Sequence, residues 1–371
     1  MTNFSGPSAT FTRIYTTSFI KPPFKGTLHI KDFKMADPNG VEYYTIPSFQ
    51  FTAGAQKDIK VAYRSFNPTS TRGTVLIPTC YGGRINTTQN FTSGALKDYH
   101  VVVAAMLGNG ESSSPSNDPD FPSDYSLRYQ DCINAHYALL TDHLGVKELE
   151  AVIGFSMGGQ QAYYWSVMHG SGSSPFVKRA VVICGSAKTS GHNYAFLEGP
   201  TSALIASKDY DGGKYRQNGV KPTEGLRAFG RAYAAWLTSP GWFRQELWRE
   251  VGAKSLHDWL HPPVGKSNFE AWDAEDLLVL ARMWQAGDVG SVGGGGDYRE
   301  ALRGVSAKVL VMPGSTDQYF PVEDGEAEVK YLRNGVFDPL VSCWGHIAGG
   351  GADKEGLRWM DRRIGEFMRE E

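Results

Sequence analysis

No stretch of this chain comes near the roughly 18 consecutive apolar residues that a bilayer crossing requires, so a membrane span is not expected. The N-terminus, Met1-Thr-Asn-Phe-Ser-Gly-Pro, has no basic patch followed by an apolar stretch, and the expectation is a cytoplasmic protein. An excess of either charge is lacking too. With 37 Lys and Arg against 39 Asp and Glu, the formal net charge is −2, and without a basic run there is no general pull on nucleic acid or anionic lipid. Cysteine is scarce: Cys80, Cys132, Cys184 and Cys343 lie far apart with no Cys-x-x-Cys pair, a pattern that suits neither a zinc site nor a disulfide scaffold and reads as buried free thiols. Asn86-Thr-Thr and Asn90-Phe-Thr match the glycosylation pattern, but a cytoplasmic chain never meets the modifying enzyme. A dinucleotide fingerprint is missing as well. Gly108-Asn-Gly110-Glu-Ser-Ser has no third glycine and reads as a turn, while glycines 293–296 match no phosphate loop and read as a flexible return. No metal and no cofactor are therefore expected.

What is present is an ordinary globular composition, 41% hydrophobic over 371 residues, enough for a large core. Short β-branched and apolar runs at 74–77, 99–105, 151–154, 180–184 and 308–312 are each followed by a turn and a helix-like segment. Continuous apolar strands alternating with helices predict a mostly parallel sheet covered on both faces, hence the α/β class. Residues 129–144 carry Cys132, Ile133, Tyr137, Leu140 and Leu144 at the spacing of one buried helix face, with Gly145 as the stop. From 190 to 298 the chain is rich in Trp, Tyr, Phe and Gly. It shows helix-like stretches at 226–237 and 276–286 and no convincing strand. This segment reads as a helical cap inserted between two parts of a sheet domain, 51–189 and 299–371. Residues 1–50 read as an N-terminal extension, the first forty being an extended arm or partly disordered, and 49–52 with 59–63 as an early antiparallel pair.

The strongest local signal is Ala151-Val-Ile-Gly154-Phe-Ser156-Met157-Gly158-Gly159. A strand runs into Gly-x-Ser-x-Gly and on into a potential helix, the setting of a nucleophile elbow. Glycines at 154 and 158 permit the tight turn that holds Ser156 at the strand end with its hydroxyl exposed, and Met157 offers a backbone N–H to an oxyanion.

A serine hydroxyl is a weak nucleophile at neutral pH, so a histidine must take its proton and an acid must orient that histidine. In a fold of this kind the partners follow in the order Ser, Asp or Glu, His. Asp317 lies in the loop leaving the run 308–312 and is the best acid, ahead of Asp324, in the following helix, and Asp338, before an expected short strand at 340–343. Among nine histidines, His346 in Trp344-Gly-His346-Ile347 stands where the base is needed, whereas His169 and His192 precede the acid in the chain. The second oxyanion donor is expected from the loop after 74–77, where the backbone N–H of Cys80 or Tyr81 is the candidate; the Cys80 thiol itself is not needed as a nucleophile.

With these motifs, and with Ala105-Met-Leu-Gly-Asn-Gly-Glu-Ser-Ser-Ser-Pro-Ser-Asn117, Gln160-Gln161-Ala162 and Cys184-Gly-Ser-Ala-Lys-Thr-Ser-Gly-His-Asn193, the chain resembles the homoserine O-acetyltransferase branch of the α/β-hydrolases, especially its acetyltransferase-like hydrolases. The likeness runs from about 51 to 367. It implies an α/β-hydrolase sheet domain with a helical cap, dimerising through that cap. True homoserine acetyltransferases also resemble the chain at Phe196-Leu-Glu198, but they carry an arginine where Thr201 stands and an acidic residue where Ile347 stands. Without those charges a zwitterionic amino acid loses water and gains no partner, unless Lys188 or Arg231 substitutes. The expected function is a serine-dependent esterase or thioesterase acting on a small to medium, mostly uncharged acyl substrate. An aromatic cap with Trp236, Trp242, Trp248, Trp272 and Trp284 would form its apolar entrance. The alternatives are an O-acyltransferase, with acetyl-CoA as donor, and a non-catalytic interaction protein on the same fold.

Overall fold

The computed structural model describes residues 40–122, 126–263, 265 and 269–370, so the arm expected over the first forty residues lies outside the described residues except for Gly40. Eight strands form one sheet: β1 (Glu42–Gln50), β2 (Gln56–Phe66), β3 (Thr74–Pro78), β4 (His100–Ala104), β5 (Leu149–Phe155), β6 (Arg179–Ile183), β7 (Lys308–Met312) and β8 (Gly335–Phe337), in the order β1-β2-β4-β3-β5-β6-β7-β8. The β1/β2 and β2/β4 pairs are antiparallel and all later pairs are parallel. The central strands are apolar beyond their first one or two residues because both faces are covered. Val101 and Val103 pack with Val75, Ile77 and Ile153 on one side, while Val102 packs with Leu76 and Val152 on the other.

The strand runs expected at 74–77, 99–105, 151–154, 180–184 and 308–312 all form, displaced by no more than two residues at their ends. An early antiparallel pair forms as well, but 59–63 pairs with 42–46 and not with 49–52, because the chain turns at 51–55; β1 begins at Glu42, so much of the segment read as extension before residue 51 is sheet. The helix expected over 129–144 splits into α1 (Tyr129–Ala138) and one wide turn, Leu139–His143, in which Leu144 N–H reaches back to Leu139. Gly145 then takes a positive φ of 67° and stops it. The strand expected at 340–343 does not form. Pro339 has no N–H to continue a ladder, the pairing with β7 ends at Phe337, and beyond it only a single bridge joins Leu340 to Gly314. Asp338 thus follows the last strand instead of preceding it.

Between β6 and β7 the described chain is helical, including α3 (Gly191–Ile205) and the helices Thr223–Leu237 and Ala274–Gln285. The glycines at 294–296, expected to be a flexible return, form a short 3₁₀ turn leading into the helix Tyr298–Arg303. The insertion leaves and rejoins the sheet through a narrow neck. There Thr189 N–H donates to Gly287 O at 2.8 Å, Val289 N–H donates to Ala187 O at 3.0 Å, and Lys188 Nζ pairs with Asp288 at 2.7 Å.

Buried Glu328, on the helix Val322–Val329, receives the Ala187 N–H at 2.8 Å and ties that helix to the neck. Burial raises its carboxyl from the ordinary 4.5 to about 8, against the opposing hydrogen bond from Ala187. Between those two values the unfolded chain has released a proton that the folded chain keeps. Stability is therefore fully present below about 4.5 and is lost as pH rises toward 8. Glu328→Gln should remove that loss, so its melting temperature relative to the parent should rise from pH 5 to pH 8. A difference independent of pH would contradict the assignment.

Candidate active site

Ser156 sits between β5 and α2 (Met157–His169) with φ 59° and ψ −125°, a strained conformation for a residue with a side chain. The local sequence imposes it. A Cβ on Gly154 would collide with the carbonyl of Gly158, and one on Gly158 would come within 2.8 Å of the Pro78 carbonyl, so both glycines are required for the close approach of strand, helix and neighbouring loop. The Ser156 N–H is anchored to Ile183 O at 2.9 Å, which fixes the turn against β6.

His346 stands on the short turn Gly345–Ala348, not at a strand end. Its Nε2 lies 2.9 Å from Ser156 Oγ and its Nδ1 lies 2.6 Å from Asp317 Oδ2. The other oxygen, Oδ1, accepts the N–H groups of Tyr319 at 2.8 Å and Phe320 at 3.1 Å, which locks the carboxylate's rotation. All three side chains are buried: Ser156 is 2% exposed, Asp317 7% and His346 3%. The rivals stand apart from this relay. Asp324 is on the helix after Asp317, and Asp338 pairs with Arg363 at 2.7 Å. His169 stacks on Tyr137 with its pKa lowered to about 4 by burial, and His192 packs its ring edge-on to Trp236.

Met157 opens α2, where its N–H has no partner within the helix. The loop of Cys80 and Tyr81 is held beside it, because Gln161 Nε2 donates to Thr79 O at 3.0 Å and Thr79 Oγ1 accepts Met106 N–H at 3.0 Å. Burial pushes the Cys80 thiol up to about 12, so it stays neutral, as a residue lending only its main chain should. Cys184, Asp317 and His346 bring one potential metal ligand each within 4.8 Å of one another. The set is poorly fitted to an ion: the carboxylate and both imidazole nitrogens are already hydrogen-bonded, and burial holds the thiol protonated.

The insertion closes over this relay. Tyr319 OH donates to Tyr233 O at 3.0 Å, Gln318 Nε2 donates to Thr238 O at 2.6 Å and Ser239 Oγ donates to Cys343 O, so the loops carrying Asp317 and His346 are both stitched to it. Gly345, at φ +66°, has no room for a Cβ against the Thr238 backbone. Around the imidazole stand Phe155 and Tyr319 at 4.7 Å and Phe320 at 5.6 Å, with Phe196, Trp284, Tyr81 and Tyr233 behind them. Of the five tryptophans expected at an entrance, Trp284 belongs to this wall and Trp236 lies beside Phe196. Trp242 and Trp248 pack on each other, and Trp272 lies under the Arg84 guanidinium, 3.7 Å away. Thr201 Oγ1 bonds back to Leu197 O at 2.7 Å inside α3, and Lys188 is engaged in the neck. Sequence reasoning missed the amides of Tyr319 and Phe320, although an aspartate capping the N–H groups two and three residues on is a common turn device. It also missed the packing of Tyr233 and Tyr319 behind the imidazole, for which no local signal exists.

The chain belongs to the α/β-hydrolases: the family model described as the alpha/beta hydrolase fold matches residues 73–350. It is similar to an ethyl acetate hydrolase of Pseudomonas veronii, with 33% identity over 79% of this chain and 84% of that protein. It is also similar to the solved structure of the acetyl esterase MekB, with 30% identity, TM-score 0.82 and coverage of 89% of this chain and 97% of that one. A homoserine O-acetyltransferase of Chloroherpeton thalassium is 27% identical over 86% of this chain and 87% of its own length.

Proposed function

We propose that this chain is a serine-dependent carboxylic ester hydrolase that cleaves small, uncharged acyl esters through an acyl-enzyme. Ser156 Oγ attacks the ester carbonyl while His346 Nε2 takes its proton, and Asp317 holds Nδ1–H and steadies the imidazolium that forms. The N–H of Met157 and that of Cys80 or Tyr81 receive the carbonyl oxygen as it becomes negative. His346 then gives its proton to the departing alcohol, and a water activated by the same nitrogen releases the acid. The observation that carries this reading is the hydrogen-bonded Ser156–His346–Asp317 relay sealed inside aromatic walls. The small apolar substrate named for the ethyl acetate hydrolase fits such walls, and we assign the insertion as the cap that selects it. Four free cysteines support a reducing, cytoplasmic setting. A dimer through the cap, as the resemblance implies, would cover Tyr194 and Ile205, exposed on α3.

The second reading, acyl transfer to homoserine, is favoured by the acetyltransferase relatives and opposed by the site's own residues: a hydroxyl turned back onto its helix at Thr201 and the apolar Ile347 beside the base. An amino-acid carboxylate brought beside Thr201 and Ile347 would shed water without gaining a cationic partner from either. The enzyme should therefore cleave ethyl acetate at a rate indifferent to homoserine, and acetyl-CoA with homoserine should yield no O-acetylhomoserine by mass. Homoserine-dependent thiol release would reverse the ranking of the two.

A further inference from the structure

We infer that Tyr81 is a positioning residue: by binding the insertion, its hydroxyl sets the loop that supplies the second oxyanion N–H, so core and insertion assemble the oxyanion hole together. The inference rests on the esterase reading, in which the N–H of Cys80 or Tyr81 receives the carbonyl oxygen, and adds to it the side-chain bond that places that loop.

The core holds the start of this loop, where Thr79 N–H donates to Ala104 O at 3.0 Å and Gln161 Nε2 donates to Thr79 O at 3.0 Å. Beyond it, Gly83 N–H returns to Cys80 O at 3.0 Å, a bond within the loop that does not tie it to the sheet. Among the described residues the Tyr81 N–H has no hydrogen-bond partner, so the main chain there is placed by its side chain. Tyr81 is buried, and its ring stacks on Tyr233 at 5.8 Å and 14° and on Phe229 at 6.3 Å and 21°, both on the insertion helix Thr223–Leu237. Its hydroxyl donates to Leu277 O at 3.0 Å, on the insertion helix Ala274–Gln285. Each of these partners belongs to the insertion.

The anchor is itself moored. Asp276, next to Leu277, accepts Ser116 N–H at 2.9 Å and Ser116 Oγ–H at 2.6 Å, which fixes the first turn of the helix to the core. Three residues after Tyr81, the Arg84 guanidinium lies 3.7 Å over the Trp272 ring and donates to Asn109 O, so the far end of the loop meets the same part of the insertion. The loop therefore spans from a core attachment at Thr79 to the start of one insertion helix. An oxyanion donor acts only within hydrogen-bond reach of the place where the charged oxygen will stand. A small tilt of the loop should then cost rate while leaving ground-state binding of the ester almost unchanged. Removing the Tyr81 hydroxyl releases the bond that prevents such a tilt and keeps the ring packing.

The test is Tyr81→Phe, with rates expressed per serine titrated to completion by a fluorophosphonate, so that any misfolded fraction drops out. With ethyl acetate, kcat should fall about 5- to 50-fold while KM changes less than about twofold. Acylation and deacylation both pass through an oxyanion, so kcat falls whichever step limits turnover. Two inhibitors separate positioning from a merely structural role. Trifluoroacetone takes Ser156 Oγ onto its carbonyl carbon, the serine proton passes to His346 and the carbonyl electron pair moves to the oxygen in the hole. Its inhibition constant should rise by the same factor as kcat/KM falls. N-Ethylacetamide, an unreactive amide of the ester's shape, should bind parent and variant within about twofold of each other. An unchanged kcat, a loss confined to KM, or equal loss of affinity for both inhibitors would overturn the inference while leaving the esterase reading intact. A parent enzyme that cleaves no ester would instead overturn that reading, and the inference with it.

Discussion

Ser156→Ala should lower kcat on any ester by on the order of 10⁶, to the residue of catalysis left by the oxyanion donors and binding. The same change should scarcely move the melting temperature. Among the described residues the hydroxyl's hydrogen bond is with His346, and the unusual backbone at φ 59° is enforced by the crowding around Gly154 and Gly158, which alanine leaves in place. Ester turnover, covalent labelling by a fluorophosphonate and thermal unfolding measured on one preparation check both halves. A variant that folds normally and still turns over at a tenth of the parent rate would mean that another nucleophile acts. A variant that loses activity and stability together would mean that Ser156 has a structural role this geometry does not explain.

Asp317→Asn should cost on the order of 10⁴ in kcat. The amides of Tyr319 and Phe320 hold Oδ1, so asparagine would keep its carbonyl there and turn its NH₂ toward His346 Nδ1. Facing a donor, the imidazole must place its proton on Nε2, where it points at Ser156 Oγ and cannot accept the serine's proton. The hydrogen bonds survive in number but reverse in sense. Retention of near-full activity would transfer the role to another carboxylate. Asp324 would be tried first, since Asp338 is already held by Arg363.

Much of this was legible in the sequence, for physical reasons that differ by element. The central strands could be read because a parallel strand buried on both faces is apolar along its buried length, as in Val309–Met312. The elbow could be read because its geometry leaves so little space that glycine is compulsory at 154 and 158. The stretch 340–343 could not, since its apolar start resembles a strand while Pro339 and the side-chain bonds of Ser342 pull it into a loop. Among those bonds, Ser342 Oγ donates to Asp353 at 2.6 Å. The chamber was least legible of all. Tyr81, Phe196, Tyr233, Trp284 and Tyr319 come together from separate parts of the chain, and no spacing along the sequence reports that meeting.

The neck at 187–189 and 287–289 has a consequence for descent. Because the chain departs and returns through two segments hydrogen-bonded to each other, residues can be gained or lost beyond that point without altering the register of β6 against β7 or the setting of the elbow. Selection can therefore reshape the chamber's outer wall while the sheet and the elbow pass unaltered from ancestor to descendant. Relatives built on one sheet can then diverge in what they accept.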